Sequence, residues 1–117
     1  MPAAKREVLF TATSVLGKHI RLTATQWRHI RKRQELHGQL DRMRETLREP
    51  DAVYYVPSEA SYHYYRFYPR TPVSSKYMLV ITKHLDGEGF IITCFYARRI
   101  SKPEKVLLYE SLSQRPQ

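Results

Sequence analysis

The chain has 117 residues, with 20 Lys and Arg against 11 Asp and Glu, a net charge of +9, and 42% apolar residues. That length implies one domain with a core of its own, and no run approaches the ~18 apolar residues of a membrane span. The single cysteine, Cys94, excludes an internal disulfide and a paired-cysteine zinc site, and it suits a reducing compartment such as the cytoplasm.

Near the N-terminus, Val8-Leu9-Phe10 is too short for a signal peptide and is flanked by Glu7, Thr11, Thr13 and Ser14. Residues 7–12 and 18–23 alternate as two strands, with Gly17 as turn punctuation. Thr23-Ala24-Thr25-Gln26 reads as a capping box: the Thr hydroxyl accepts a first-turn amide and Gln26 reaches back to the cap amide. A helix over about 24–34 is expected to follow, with Trp27, Ile30 and Gln34 on one stripe. A second helix, about 37–48, has a clearer pattern. Leu36, Leu40, Met43 and Leu47 recur at helical spacing, Asp41, Arg44, Glu45 and Arg48 point away, and Pro50 stops it.

Past Pro50 the pattern becomes β. Ala52–Val56 and Tyr62–Tyr68 are strand-like, with a turn from Pro57-Ser58-Glu59 between them. Pro69, Pro72 and two serines make 69–75 a loop. Tyr77–His84 and Gly89–Ala97 form a hairpin through Asp86-Gly87-Glu88-Gly89, and their near-continuous apolar character implies burial on both faces. A last strand is expected at Lys105–Tyr109. The domain is expected to span 1–110, with a disordered tail over 111–117.

The charge is uneven: residues 18–48 hold nine Lys and Arg against three acids. Such clustering suits a polyanion, because each phosphate neutralised releases counterions. A solubilising surface, an acidic protein partner and a membrane surface are the competing readings. No cofactor is expected, since with only four Gly the chain lacks a phosphate-cradling loop and a dinucleotide fingerprint. No metal is expected either, because the five His do not converge with carboxylates at ligand spacing.

On a helix starting near residue 24, His29 lies about 200° and Arg33 about 240° from Trp27. They would share a face flanked by Arg28, Arg31 and Lys32. An imidazole can move a proton near neutrality, and guanidinium groups can stabilise the charge that grows on a phosphate under attack. A solvated charged face gives the same pattern. In the tyrosine strand, Tyr62, Tyr64, Arg66 and Tyr68 fall on one face, which suits base stacking; an ordinary Tyr-rich sheet reads identically.

Val15-Leu16-Gly17-Lys18-His19-Ile20-Arg21-Leu22-Thr23, then Trp27-Arg28-His29-Ile30, Thr46-Leu47-Arg48-Glu49-Pro50-Asp51, Tyr64-Tyr65-Arg66 and Gly89-Phe90-Ile91-Ile92-Thr93 appear in that order over about residues 8–100. This series resembles the phage and bacterial group of the barnase–EndoU–colicin–RelE superfamily, the BECR fold. The resemblance implies an α+β domain with two N-terminal helices packed on a mainly antiparallel sheet. It also implies a toxin-like, metal-independent endoribonuclease, with the family's helix His at His29 and its late-strand Thr at Thr93. Joined to the pattern above, it assigns catalysis to His29, Arg33, Thr93 and Lys83. RNA binding falls to Arg28, Arg31, Lys32, Tyr64 and Arg66. The implied partners are RNA and an acidic antitoxin-like protein. Two departures stand out. Arg33-Gln34-Glu35 replaces the family's Arg-His-Pro-Glu, and Thr93-Cys94-Phe95 replaces Thr-Ala-Tyr, so two proton-handling groups are missing. The alternative is a catalytically degenerate module that binds RNA or protein without cutting. If His84 pairs with Phe90, then Ile81 opposes Thr93 and Lys83 shares its face.

Overall fold

A computed structural model describes residues 7–101 and 104–111. It is an α+β domain: seven strands form one sheet, and two helices pack on one face of it. Val8–Thr13 (β1) and His19–Thr23 (β2) precede Ala24–Ile30 (α1). A 3-10 turn over Gln34–Leu36 leads to Leu40–Arg48 (α2). Ala52–Val56 (β3), Ser61–Phe67 (β4), Tyr77–His84 (β5), Glu88–Ala97 (β6) and Val106–Glu110 (β7) follow. The order across the sheet is β1-β2-β6-β5-β4-β3-β7, antiparallel except for β2 against β6. The expected central pair, β5 with β6, does sit in the middle. Of the expected tail at 111–117, residues 112–117 lie outside the described residues, and Ser111 donates its amide to the Asp51 carbonyl at 2.8 Å.

The first helix ends four residues earlier than its pattern suggests, and the second starts three later. Packing explains the break. In one continuous helix Ile30 and Leu36 would stand about 120° apart around the axis and could not both point squarely at the sheet. Interrupting the helix buries both completely. Clustered Arg28, Arg31 and Lys32 add like-charge cost to further helical turns, and Gly38, at φ +75°, supplies the left-handed backbone that re-aims the chain into α2. In α2, Met43 and Leu47 are fully buried, while Leu40 is half-buried at the margin of the core. Glu45 does not point away as expected. It accepts the Tyr68 hydroxyl at 2.5 Å and pairs with Arg66 at 3.4 Å, so polar groups from and beyond β4 hold this flank of the helix.

Both faces of the sheet are covered. The helix side buries Ile20, Leu22, Tyr64, Met78, Val80, Ile91 and Cys94. The opposite side buries Tyr54, Tyr65, Tyr77 and Leu79, with Ile100 from the segment after β6 packed on them. That segment leads from β6, third in the order, to β7 at the far edge. The β5–β6 turn is tight: Leu85 donates to the Glu88 carbonyl at 2.6 Å, and Gly87 holds φ +77°. A Cβ at Gly89 would stand 2.6 Å from the Lys83 carbonyl oxygen, so only glycine lets the two strands approach there.

One end of the helix-side core is polar. His84 stacks on Tyr62 with ring centroids 3.5 Å apart, and its Nε2 lies 3.1 Å from the Tyr64 hydroxyl. Its buried Nδ1 has no hydrogen-bond partner among the described residues. Burial, with the Lys18 ammonium adding to it, pushes His84 down to about 4. An unfolded His titrates near 6.5. The unfolded chain therefore binds more protons between these values, and stability should fall as pH drops from about 6.5 to about 4. His84 should contribute about 1–2 kcal/mol above that window, after allowance for solvent screening. His63, also lowered by burial and by Lys105, acts in the same sense. Urea midpoints measured across this range should show a shallower pH dependence in His84→Gln than in the parent protein. Parallel curves for the two would exclude His84 as the source.

Candidate nucleic-acid interface

The site is built on the end of α1. Thr23 caps the helix, its Oγ1 accepting the Gln26 amide at 3.1 Å. The reciprocal half of the capping box does not form. The Gln26 side chain instead donates to the Ile92 carbonyl on β6. That carbonyl belongs to an extra residue in β6: Ile81 pairs with Thr93 but Thr82 pairs with Ile91, so Ile92 is bulged out. The bond pins α1 beside β6 where β2 has stopped pairing, since β2 meets β6 only at Glu88, Gly89 and Phe90.

Beyond Ile30 the chain folds back. His37 Nε2 donates to the Arg31 carbonyl at 2.8 Å, which sets the imidazole against the end of α1. Because a carbonyl only accepts, Nε2 carries the proton and Nδ1 of the neutral ring is the lone-pair nitrogen. Thr25, Arg28, His29, Arg31, Lys32 and His37 line one open hollow. Arg28, His29, Arg31, Lys32 and His37 are all exposed. The helix end also places its partial negative charge under these cations, which favours their gathering there.

The residues assigned to catalysis from the sequence are not brought together. His29 is in the hollow. Arg33 is past the helix end, so the angular argument that put it beside His29 no longer applies; its guanidinium lies 5.4 Å over the Phe95 ring. Thr93 is half-buried on the sheet face away from the helices, where it pairs with Ile81. Lys83 shares that face, as expected, but by a different register. His84 pairs with Gly89 and not with Phe90, and the bulge at Ile92 restores the Ile81–Thr93 pairing. The Lys83 ammonium donates to the Glu59 carbonyl, away from α1.

The binding set divides as well. Arg28, Arg31 and Lys32 meet His29 in the hollow. Tyr64 is fully buried, and its hydroxyl, held by Ser14 and His84, is pushed up to about 12, chiefly by burial. Its ring therefore has no face to offer a base. Arg66 is turned onto α2, bonded to Glu45 and to the Glu49 carbonyl, with only 14% of its side chain exposed. His37 is the residue that sequence reasoning missed. It is eight positions from His29, across the end of α1 and the 3-10 turn at Gln34–Leu36, and no periodicity connects the two.

Among the described residues, no group of three or more His, Cys, Asp and Glu is placed to hold a metal ion, and no helix is long and apolar enough to cross a membrane. No family model, curated protein or solved structure matches the chain.

Proposed function

We propose that this protein is a toxin-like RNA-binding domain of the BECR kind that takes the phosphates of single-stranded RNA in the hollow at the end of α1, in the cytoplasm. The observation that carries this reading is the convergence of Arg28, Arg31 and Lys32 with His29 and His37 on one exposed surface. The packing of two helices on a mainly antiparallel sheet is what the resemblance implies, and it supports the same reading. Among the described residues no Phe, Tyr or Trp lines the hollow, so phosphates supply most of the contacts, and sequence preference is weak.

Binding of a fluorescent RNA oligonucleotide should weaken with salt. The log–log slope should be about −2, as three neutralised phosphates on a single strand require. Replacing Arg28, Arg31 and Lys32 together by Ala should remove most of that slope. Binding that ignores salt, or that survives the triple variant unchanged, would reject the site. An acidic antitoxin-like protein is the rival occupant; a complex captured from nuclease-treated native extract and lost in the triple variant would favour it.

A second reading, metal-independent RNA cleavage, is favoured by one specific feature. Two imidazoles share the hollow, and the hydrogen bond to Arg31 leaves His37 Nδ1 as a proton acceptor. His37 thus supplies a second imidazole even though Gln34 stands where the family has His.

A further inference from the structure

The sheet face away from the helices carries a chain of hydrogen bonds that the α1 hollow does not use. Glu59, in the turn between β3 and β4, accepts Ser61 Oγ at 2.8 Å and His63 Nε2 at 3.2 Å. The carboxylate can only accept, so Nε2 carries the proton and Nδ1 of the neutral ring must accept. Its donor is Lys105 Nζ, at 3.0 Å, just before β7. The same Nζ donates to the Tyr65 hydroxyl at 2.8 Å.

A neutral amine has two protons and one lone pair. With both protons directed at His63 and Tyr65, the lone pair of Lys105 is left to attack an electrophile. An ammonium would turn its third proton toward solvent, since Lys105 is only partly buried, and loss of that proton is what frees the lone pair. Burial also lowers the affinity of Lys105 for its proton, and the Glu59 carboxylate opposes this more weakly. The cluster opens to solvent at Glu59, whose side chain is 56% exposed, while His63 is buried at 8%. Lys83, which donates to the Glu59 carbonyl, adds a positive charge at the rim.

We propose that Lys105 is a reactive-amine site for small anionic aldehydes and keto acids, with His63 as its proton acceptor and Glu59 as the group that orients His63. This goes beyond the RNA reading and does not depend on it. Nζ attacks the carbonyl carbon, and the C=O π pair moves to oxygen. The proton released by nitrogen passes to His63 Nδ1 and from there to that oxygen, giving a carbinolamine. The hydroxyl takes a proton from solvent, the nitrogen lone pair expels it as water, and the iminium returns its remaining N–H proton to solvent by way of His63 Nδ1, leaving the imine. Amine and carbonyl thus become imine and water with no change of oxidation state. Lysines whose ammonium form is disfavoured by their surroundings are the ones that form such bonds.

The test treats the whole protein with glyoxylate and cyanoborohydride at neutral pH, which reduces any imine to a stable secondary amine, and maps the modified lysines by peptide mass spectrometry. Lys105 should be modified at least about tenfold faster than the mean of the other lysines. His63→Gln and the more conservative surface change Glu59→Gln should each bring Lys105 back toward that mean. Lys105→Arg should remove its label and leave the others unchanged. Uniform modification, preferential modification of any other lysine, or a Lys105 rate unaltered in both relay variants would overturn the proposal.

Discussion

Met43→Ala and Leu47→Ala should each lower the free energy of unfolding by about 2–5 kcal/mol, the range for truncating a buried large side chain. Both residues are fully buried between α2 and the sheet, in the same cluster as Tyr64, Met78 and Val80. Each truncation removes apolar area from the core and leaves a cavity that the strands cannot close without losing register. Leu40→Ala should cost less, about 1–2 kcal/mol, because Leu40 is only half-buried and its neighbours can relax toward solvent. Asp41→Ala, on the exposed face of the same helix, should change stability by less than about 0.5 kcal/mol. Urea unfolding gives the comparison directly, provided the m-value stays constant across the series. Equal costs for Met43→Ala and Asp41→Ala would contradict the packing described for α2.

On RNA in the presence of chelator, His29→Ala and His37→Ala should each slow cleavage by about 10²–10⁴-fold, the usual contribution of one proton-transferring side chain. The roles follow from the hydrogen bond that fixes His37. In the neutral ring the bond to Arg31 makes Nδ1 the lone-pair nitrogen, so His37 takes the proton from the RNA 2′-hydroxyl as that oxygen attacks the adjacent phosphorus. His29, in its protonated form, gives a proton to the leaving 5′-oxygen. Arg28, Arg31 and Lys32 hold the phosphate and the charge that grows on it. The product is a 2′,3′-cyclic phosphate. Thr93→Ala and Lys83→Ala should leave the rate unchanged, since both residues lie on the other face of the sheet. Tight binding with no cleavage by the parent protein would leave the hollow as a binding site alone. Cleavage that persists in both His variants would place the chemistry elsewhere.

Local chemistry was enough for much of the fold. Spacings of four and three marked the apolar stripe of α2, Pro50 stopped that helix, and Asp86-Gly87-Glu88-Gly89 turned β5 into β6, because each of these depends only on residues within a few positions. The same locality explains why Arg28, Arg31 and Lys32 could be placed beside His29: all of them lie at or just past the end of one short helix. Tyr62 to Tyr68 could be sorted into two faces by alternation, but not assigned to a side, because both sides of the sheet are covered. Only the folded core decides that Tyr64 lies under the helices and that Tyr65 faces Lys105.

Long-range contacts settled the remainder. The early end of α1 follows from burying Ile30 and Leu36 together, which one continuous helix could not do. The bulge at Ile92 is partnered by Gln26, 66 residues away, and it brings Thr93 back into register with Ile81. The parallel pairing of β2 with β6 and the passage of the chain from β6 to β7 are likewise set by which apolar surfaces meet. Periodicity thus determined which residues could lie on one element, while the hollow with His29 and His37 and the chain from Glu59 to Lys105 exist only because separate segments are held together by packing that no short window of sequence contains.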